Sequence, residues 1–103
     1  MNESDESELP NVGEPDNKER KVDGILIVGS ALTDAHVAAI RALTDDLAPR
    51  NAKADLIRNI QHKGPNKAIN IWQGAHFESY QSLLFVDGKW ELEETGGGFG
   101  TFR

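Results

Sequence analysis

Three histidines are the residues with the widest chemical range in this chain: His36, His62 and His76. Metal binding or acid–base work needs at least two such groups converging with carboxylates, and their spacing forms no such motif. Asp34 and His36 lie two apart in an expected helix and therefore diverge. His76, close to Ser79 and Tyr80, is the one grouping from which a small hydrolase or transferase could be built, pending an orienting acid and oxyanion donors. The stretch from Val28 through Gly29 and Ser30 to Thr33 joins a strand to a helix start, where backbone amides hold anions. It lacks the further glycines of a dinucleotide fingerprint and the Gly-Lys-Ser/Thr of a phosphate loop. No cofactor or metal is expected, and with no cysteine there is no thiolate chemistry.

The second chemical signal is charge. Arg50, Lys53, Arg58, Lys63 and Lys67 oppose only Asp55 between positions 50 and 67. Such a patch attracts phosphate backbones by counterion release, with little sequence specificity. Within it, Leu47 to Ile60, with Asn51 and Lys53-Ala-Asp-Leu56-Ile57, resembles the linker and second helix of SAP-type and Rho N-terminal-type helical modules, which implies nucleic-acid binding. The resemblance spans about fourteen of 103 residues. The first helix is out of phase with that pattern and a strand precedes it, so the family is not assigned.

The elements that would position these groups follow from periodicity. The apolar run from Ile25 to Val28 between Gly24 and Gly29 reads as a strand covered on both faces. Thr33 stands as an N-cap, with Val37, Ile40, Leu43 and Leu47 following at helical spacing, which predicts a helix over 34–47. Pro49 breaks it and Asn51 caps a second helix over 52–62, ended by the turn at Gly64-Pro65-Asn66. Beyond Lys67 the period becomes two. Residues 68–72 read as a strand with Ile69 and Ile71 facing the core, and 76–80 as a less regular one. Leu83 to Leu92 is a hairpin about the type I′ turn Asp87-Gly88, which sets Phe85 opposite Trp90 and Leu83 opposite Leu92.

These elements predict an α+β fold: two helices on one face of a small, mostly antiparallel sheet, in the order β-α-α-β-β-β-β. The expected core is Leu26, Val28, Val37, Ile40, Leu43, Leu47, Leu56, Ile60, Ile69, Ile71, Leu83, Phe85, Trp90 and Leu92. Three segments follow from composition: an acidic disordered arm over 1–23, one domain over 24–94, and a flexible Gly-rich tail over 95–103. The arm holds eight acids against three bases, a net of −5 within a chain total of −6. It has too few apolar residues to offset the entropy of ordering. The absence of cysteine and of any long apolar run suggests a cytoplasmic protein without a membrane span.

Functionally, the residues favour a small non-enzymatic interaction or regulatory protein that binds a protein partner through its surface. The expected contacts are the acidic arm or the outer hairpin face, Leu84, Val86, Lys89 and Glu91. The alternatives are nucleic-acid binding through the five basic residues and a hydrolase about His76. Strand parity further predicts Trp72 exposed and Trp90 buried.

Overall fold

The computed structural model describes residues 9–49, 56–75 and 77–99. Among them the chain runs β1 (Glu19–Val22), β2 (Ile25–Val28), α1 (Asp34–Thr44), a single 3-10 turn (Asp45–Leu47), β3 (Ile57–Gly64), β4 (Lys67–Gln73), β5 (Phe77–Val86) and β6 (Lys89–Phe99). The strands form one sheet in chain order, parallel only between β2 and β3 and antiparallel elsewhere. That parallel pair is what requires the helix, because parallel neighbours need a crossover and antiparallel ones need only a turn.

Three short turns set the registers. Asp87 and Gly88 have φ of 52° and 79°, the two positive angles of a type I′ turn, and Phe85 pairs with Trp90 and Leu83 with Leu92 as expected. Asp23 and Gly24 repeat the device, with φ of 52° and 82°, and fold β1 back on β2. At the third turn Asn66, with φ of 58°, follows Pro65, the residue pattern of a type II turn.

The expected arm is therefore ordered from residue 9 onward, and residues 1–8 lie outside the described residues. Asn66 explains much of this order. Its side-chain oxygen accepts from the Val12 N–H at 3.1 Å, and its own N–H donates to the Val12 carbonyl at 2.7 Å. Val12 is thereby drawn into the core, fully buried. At β1, Arg20 donates to the Leu32 carbonyl at 2.7 Å and pairs with Asp34 at 3.1 Å, joining the first strand to the helix start. One buried valine and one arginine thus order a segment whose overall composition is that of a solvated tail.

The first helix is where periodicity puts it. Thr33 caps it, its hydroxyl oxygen accepting from the His36 N–H at 3.4 Å. The buried face is His36, Val37, Ile40 and Thr44, whereas Leu43 and Leu47, expected inside, are exposed. The expected second helix over 52–62 is corrected: positions 57–64 are strand β3, and 50–55 lie outside the described residues. The slot beside β2 decides the matter, since Ile60 is fully buried opposite Ile27 on one side and Asn70 on the other. Sheet packing of β-branched residues outweighs a modest helical propensity.

Two parities also reverse. In β2 it is Ile25 and Ile27 that are buried, and in β4 Ala68, Asn70 and Trp72. Leu26, Val28, Ile69 and Ile71 are half-buried on the other face, and Leu56 is half-buried as well. Trp72 is therefore buried like Trp90, not exposed. Leu92 is exposed despite lying opposite Leu83, and the stretch expected as a tail continues as β6 to Phe99, with 100–103 outside the described residues. Val37, Ile40, Ile60, Leu83, Phe85 and Trp90 are core residues as expected.

At the centre of the core sits His36. It accepts a hydrogen bond at Nδ1 from the Trp90 indole N–H at 3.0 Å and packs edge-on to Phe85 and Trp90, with ring centroids 5.2 and 5.8 Å away. Gly29 makes room for the other core histidine. It has φ of +118°, and a Cβ there would stand 2.5 Å from that of His62. Replacement Gly29→Ala should lower the unfolding free energy by about 3 kcal/mol through backbone strain and overlap. Gly13→Ala, with nothing within 4 Å, should change it by less than about 0.5 kcal/mol. Urea unfolding of the two variants checks both values.

Candidate interaction surface

Of the five basic residues expected to form a patch, Arg58 is turned into the fold. Arg58 points from β3 toward the helix side, its side chain only 9% exposed. It donates to Asp45 at 2.7 Å, to the Thr44 hydroxyl at 2.6 Å and to the Asn70 side-chain oxygen at 2.7 Å. Its guanidinium lies 4.2 Å from the centre of the Trp72 ring. Asn70 in turn donates to Gln81 at 2.7 Å, and both amides are fully buried. Burial pushes the Arg58 guanidinium down from its ordinary value, while Asp45 pulls it back up. Each of its three nitrogens is engaged inside the fold, and the side chain is only slightly exposed. Lys63, at the bulge between β3 and β4, and Lys67 are exposed; Arg50 and Lys53 lie outside the described residues.

The anion position after β2 is occupied by a carboxylate of the chain itself. Asp16 accepts from the Ser30 N–H at 2.9 Å, from the Ser30 hydroxyl and from the Lys18 N–H at 3.0 Å. The Ser30 hydroxyl and N–H hold its carboxyl well below the ordinary 3.8, at about 2. An open cavity of about 290 Å³ lies beside it, bounded by Asp16, Gln61, His62 and Lys63. His62 does not serve Ser30, whose hydroxyl proton is committed to Asp16. Neither ring nitrogen of His62 has a partner among the described residues. No group of three metal-ligating side chains occurs there either.

Of the grouping about His76, Ser79 and Tyr80 are described and do not share a side of the sheet. His76 is outside the described residues, and Ser79 and Tyr80, as neighbours in a strand, face opposite sides of the sheet. Tyr80 lies on the outer side over Gly96, where a Cβ would stand 2.6 Å from its ring.

The outer hairpin residues, by contrast, do come together. Leu84 pairs with Glu91 and Val86 with Lys89, on the face away from the helix. Register extends this face across the sheet: Ile69 and Ile71 on β4, Asn59 and Gln61 on β3, and Leu26 and Val28 on β2. Sequence periodicity misses these four aliphatic residues because β2 is apolar on both faces. In β4 the buried face is the more polar one, Ala68, Asn70 and Trp72. The informative signal is Asn70, whose burial follows from its bonds to Arg58 and Gln81 rather than from its type.

Toward the β6 edge the face turns acidic. A bulge at Ser82/Leu83 makes Glu93 the extra residue, so that Glu91, Glu93 and Glu94 share the outer side. Glu93 accepts from the Ser82 hydroxyl at 3.3 Å and Glu94 from Tyr80 at 3.5 Å. None of the three pairs with a base among the described residues. No helix there is long and apolar enough to cross a membrane. The sequence matches no protein-family model, no curated protein and no solved structure.

Two buried or bonded groups set the response to pH. Burial, helped by the nearby His62, holds His36 below its ordinary 6.5, against a weaker opposing pull from the Pro10 backbone. The unfolded chain therefore takes up this proton first. His36 favours the fold fully above about pH 6.5, and that contribution is lost as pH falls below it. Asp16 favours the fold above its ordinary 3.8 and loses that contribution as pH falls toward about 2. Thermal melts should show a plateau above pH 7, a decline below about 6.5 and a second decline below about 4 that Asp16→Asn makes shallower.

Proposed function

We propose that the protein acts by binding another protein through the outer face of its sheet. The observation that carries this reading is the one-sided covering: α1 lies on one face, and the other displays Leu26, Val28, Ile69, Ile71 and Leu84, each only half-buried. A hydrophobic stripe bordered by charges is the composition of a protein contact. Six strands at about 4.8 Å and strand heights near 20 Å give a face of roughly 500 Å² in projection. That size matches the low end of specific interfaces and therefore a transient complex.

The charge distribution supports a protein partner over a nucleic acid. Arg58 is spent inside the fold, and the carboxylates of Glu91, Glu93 and Glu94 border the face and would repel phosphates. A reaction at this face would need a nucleophile and base within hydrogen-bond reach; its aliphatic centre supports contact instead.

The test is capture from an extract of the producing cells, treated with nuclease, by the wild-type chain, Ile71→Lys with Leu84→Lys, and Ala38→Lys on the exposed side of the helix. A protein partner retained by wild type and Ala38→Lys should be lost at least tenfold, about 1.4 kcal/mol, by the double variant. Retention by a folded double variant, or capture that disappears with nuclease, would overturn the reading.

A further inference from the structure

We infer that the partner's contact element is an extended basic segment that adds to the β6 edge as a seventh strand. This deepens the reading above and rests on it. β6 runs for 11 residues and pairs only with β5 among the described residues. A strand edge presents unpaired N–H and C=O groups, which a second extended chain satisfies by main-chain hydrogen bonding.

The two edges of this sheet differ in how they meet that hazard. β1 is four residues long and carries Glu19, Arg20 and Lys21, a short and charged edge that resists addition. β6 is nearly three times as long, and its second half, Gly96 to Gly98, has no side chains to obstruct an approaching backbone. Tyr80 packs against Gly96, so the outer side there is covered by an aromatic ring rather than by a projecting side chain of β6.

The acids select the occupant. The bulge concentrates Glu91, Glu93 and Glu94 on the outer side, where Glu93 and Glu94 are bonded only to neutral hydroxyls and none of the three pairs with a base among the described residues. Lysine or arginine at alternate positions of an added strand would reach them, while the intervening side chains would lie toward the helix side. A second copy of this chain pairing β6 against β6 through this half would set carboxylate against carboxylate, and a nucleic acid or anionic membrane would be repelled. A basic peptide strand is the occupant whose charge fits.

The experiment is an amide-resolved NMR titration of the full chain with a blocked ten-residue peptide alternating lysine and valine. Two controls accompany it: the same peptide with glutamate for lysine, and the lysine peptide N-methylated at alternate residues. The inference expects saturable shifts along Lys89–Phe99 with the first peptide and none with either control. The triple variant Glu91→Gln, Glu93→Gln, Glu94→Gln should weaken binding at least tenfold. Absence of shifts at millimolar peptide, or equal binding of the N-methylated peptide, would overturn strand addition. Loss of partner capture by the outer-face variant would in that case leave the broader reading standing. Peptide binding at β6, with capture unaffected by that variant, would instead overturn the outer face and leave the edge.

Discussion

A six-stranded sheet has two faces to shield from water, and among its described residues this chain supplies one eleven-residue helix to do it. Every other feature of the molecule answers that shortage. The helix lies where the parallel pair β2 and β3 requires a crossover, and it can cover only one face. Beneath it the core is closed by Val12 from the N-terminal segment and by aromatic residues about His36. The outer face is left to its own half-buried aliphatic residues.

Where the helix gives way to its 3-10 turn, the inner face is closed by polar bonding instead of apolar packing. Arg58 ties the end of α1, through Thr44 and Asp45, to Asn70 on β4, and Asn70 ties on to Gln81 on β5. Charge-assisted bonds of this kind stabilise by roughly 1.5 to 3 kcal/mol each, and leaving one buried partner bare costs about as much. The network therefore fixes how the helix end sits on the sheet. It also takes the most central cation of the sequence out of reach of any ligand. The same economy operates at Ser30, where Asp16 occupies the amide and hydroxyl that an anion would use.

The parts of this arrangement legible in the sequence are those fixed by local geometry. The Asp87-Gly88 turn needs two positive φ angles and dictates the pairing of Phe85 with Trp90; Thr33 is a cap whatever lies around it. Fold class follows from these, while the second helix does not, because Ile57 to His62 suits a helix and a strand alike until β2 stands beside it. Strand parity was hidden for a related reason. In β4 the partners of Asn70 and Trp72 lie on other strands and on the helix, so neighbours in sequence carry no sign of which side is buried. The order of residues 9–22 turned on Val12 and Arg20, two positions within a strongly charged segment; the second Asp-Gly pair, at 23 and 24, was its visible mark. Of the candidate site, the hairpin residues Leu84, Val86, Lys89 and Glu91 were readable from the turn alone. Their continuation through Ile69, Ile71, Leu26 and Val28 requires the register of five strands, β2 to β6.

The central claim is that the outer face is open. Side-chain methyl relaxation by a soluble paramagnetic agent measures this most directly. The account predicts strong relaxation of the Ile69, Ile71, Leu84 and Leu26 methyls, approaching that of exposed Ile57, and almost none at Ile27, Ile40 and Ile60. Protection of Ile69 and Ile71 equal to that of Ile60 would mean that the face is already covered in the isolated protein, and would contradict the account.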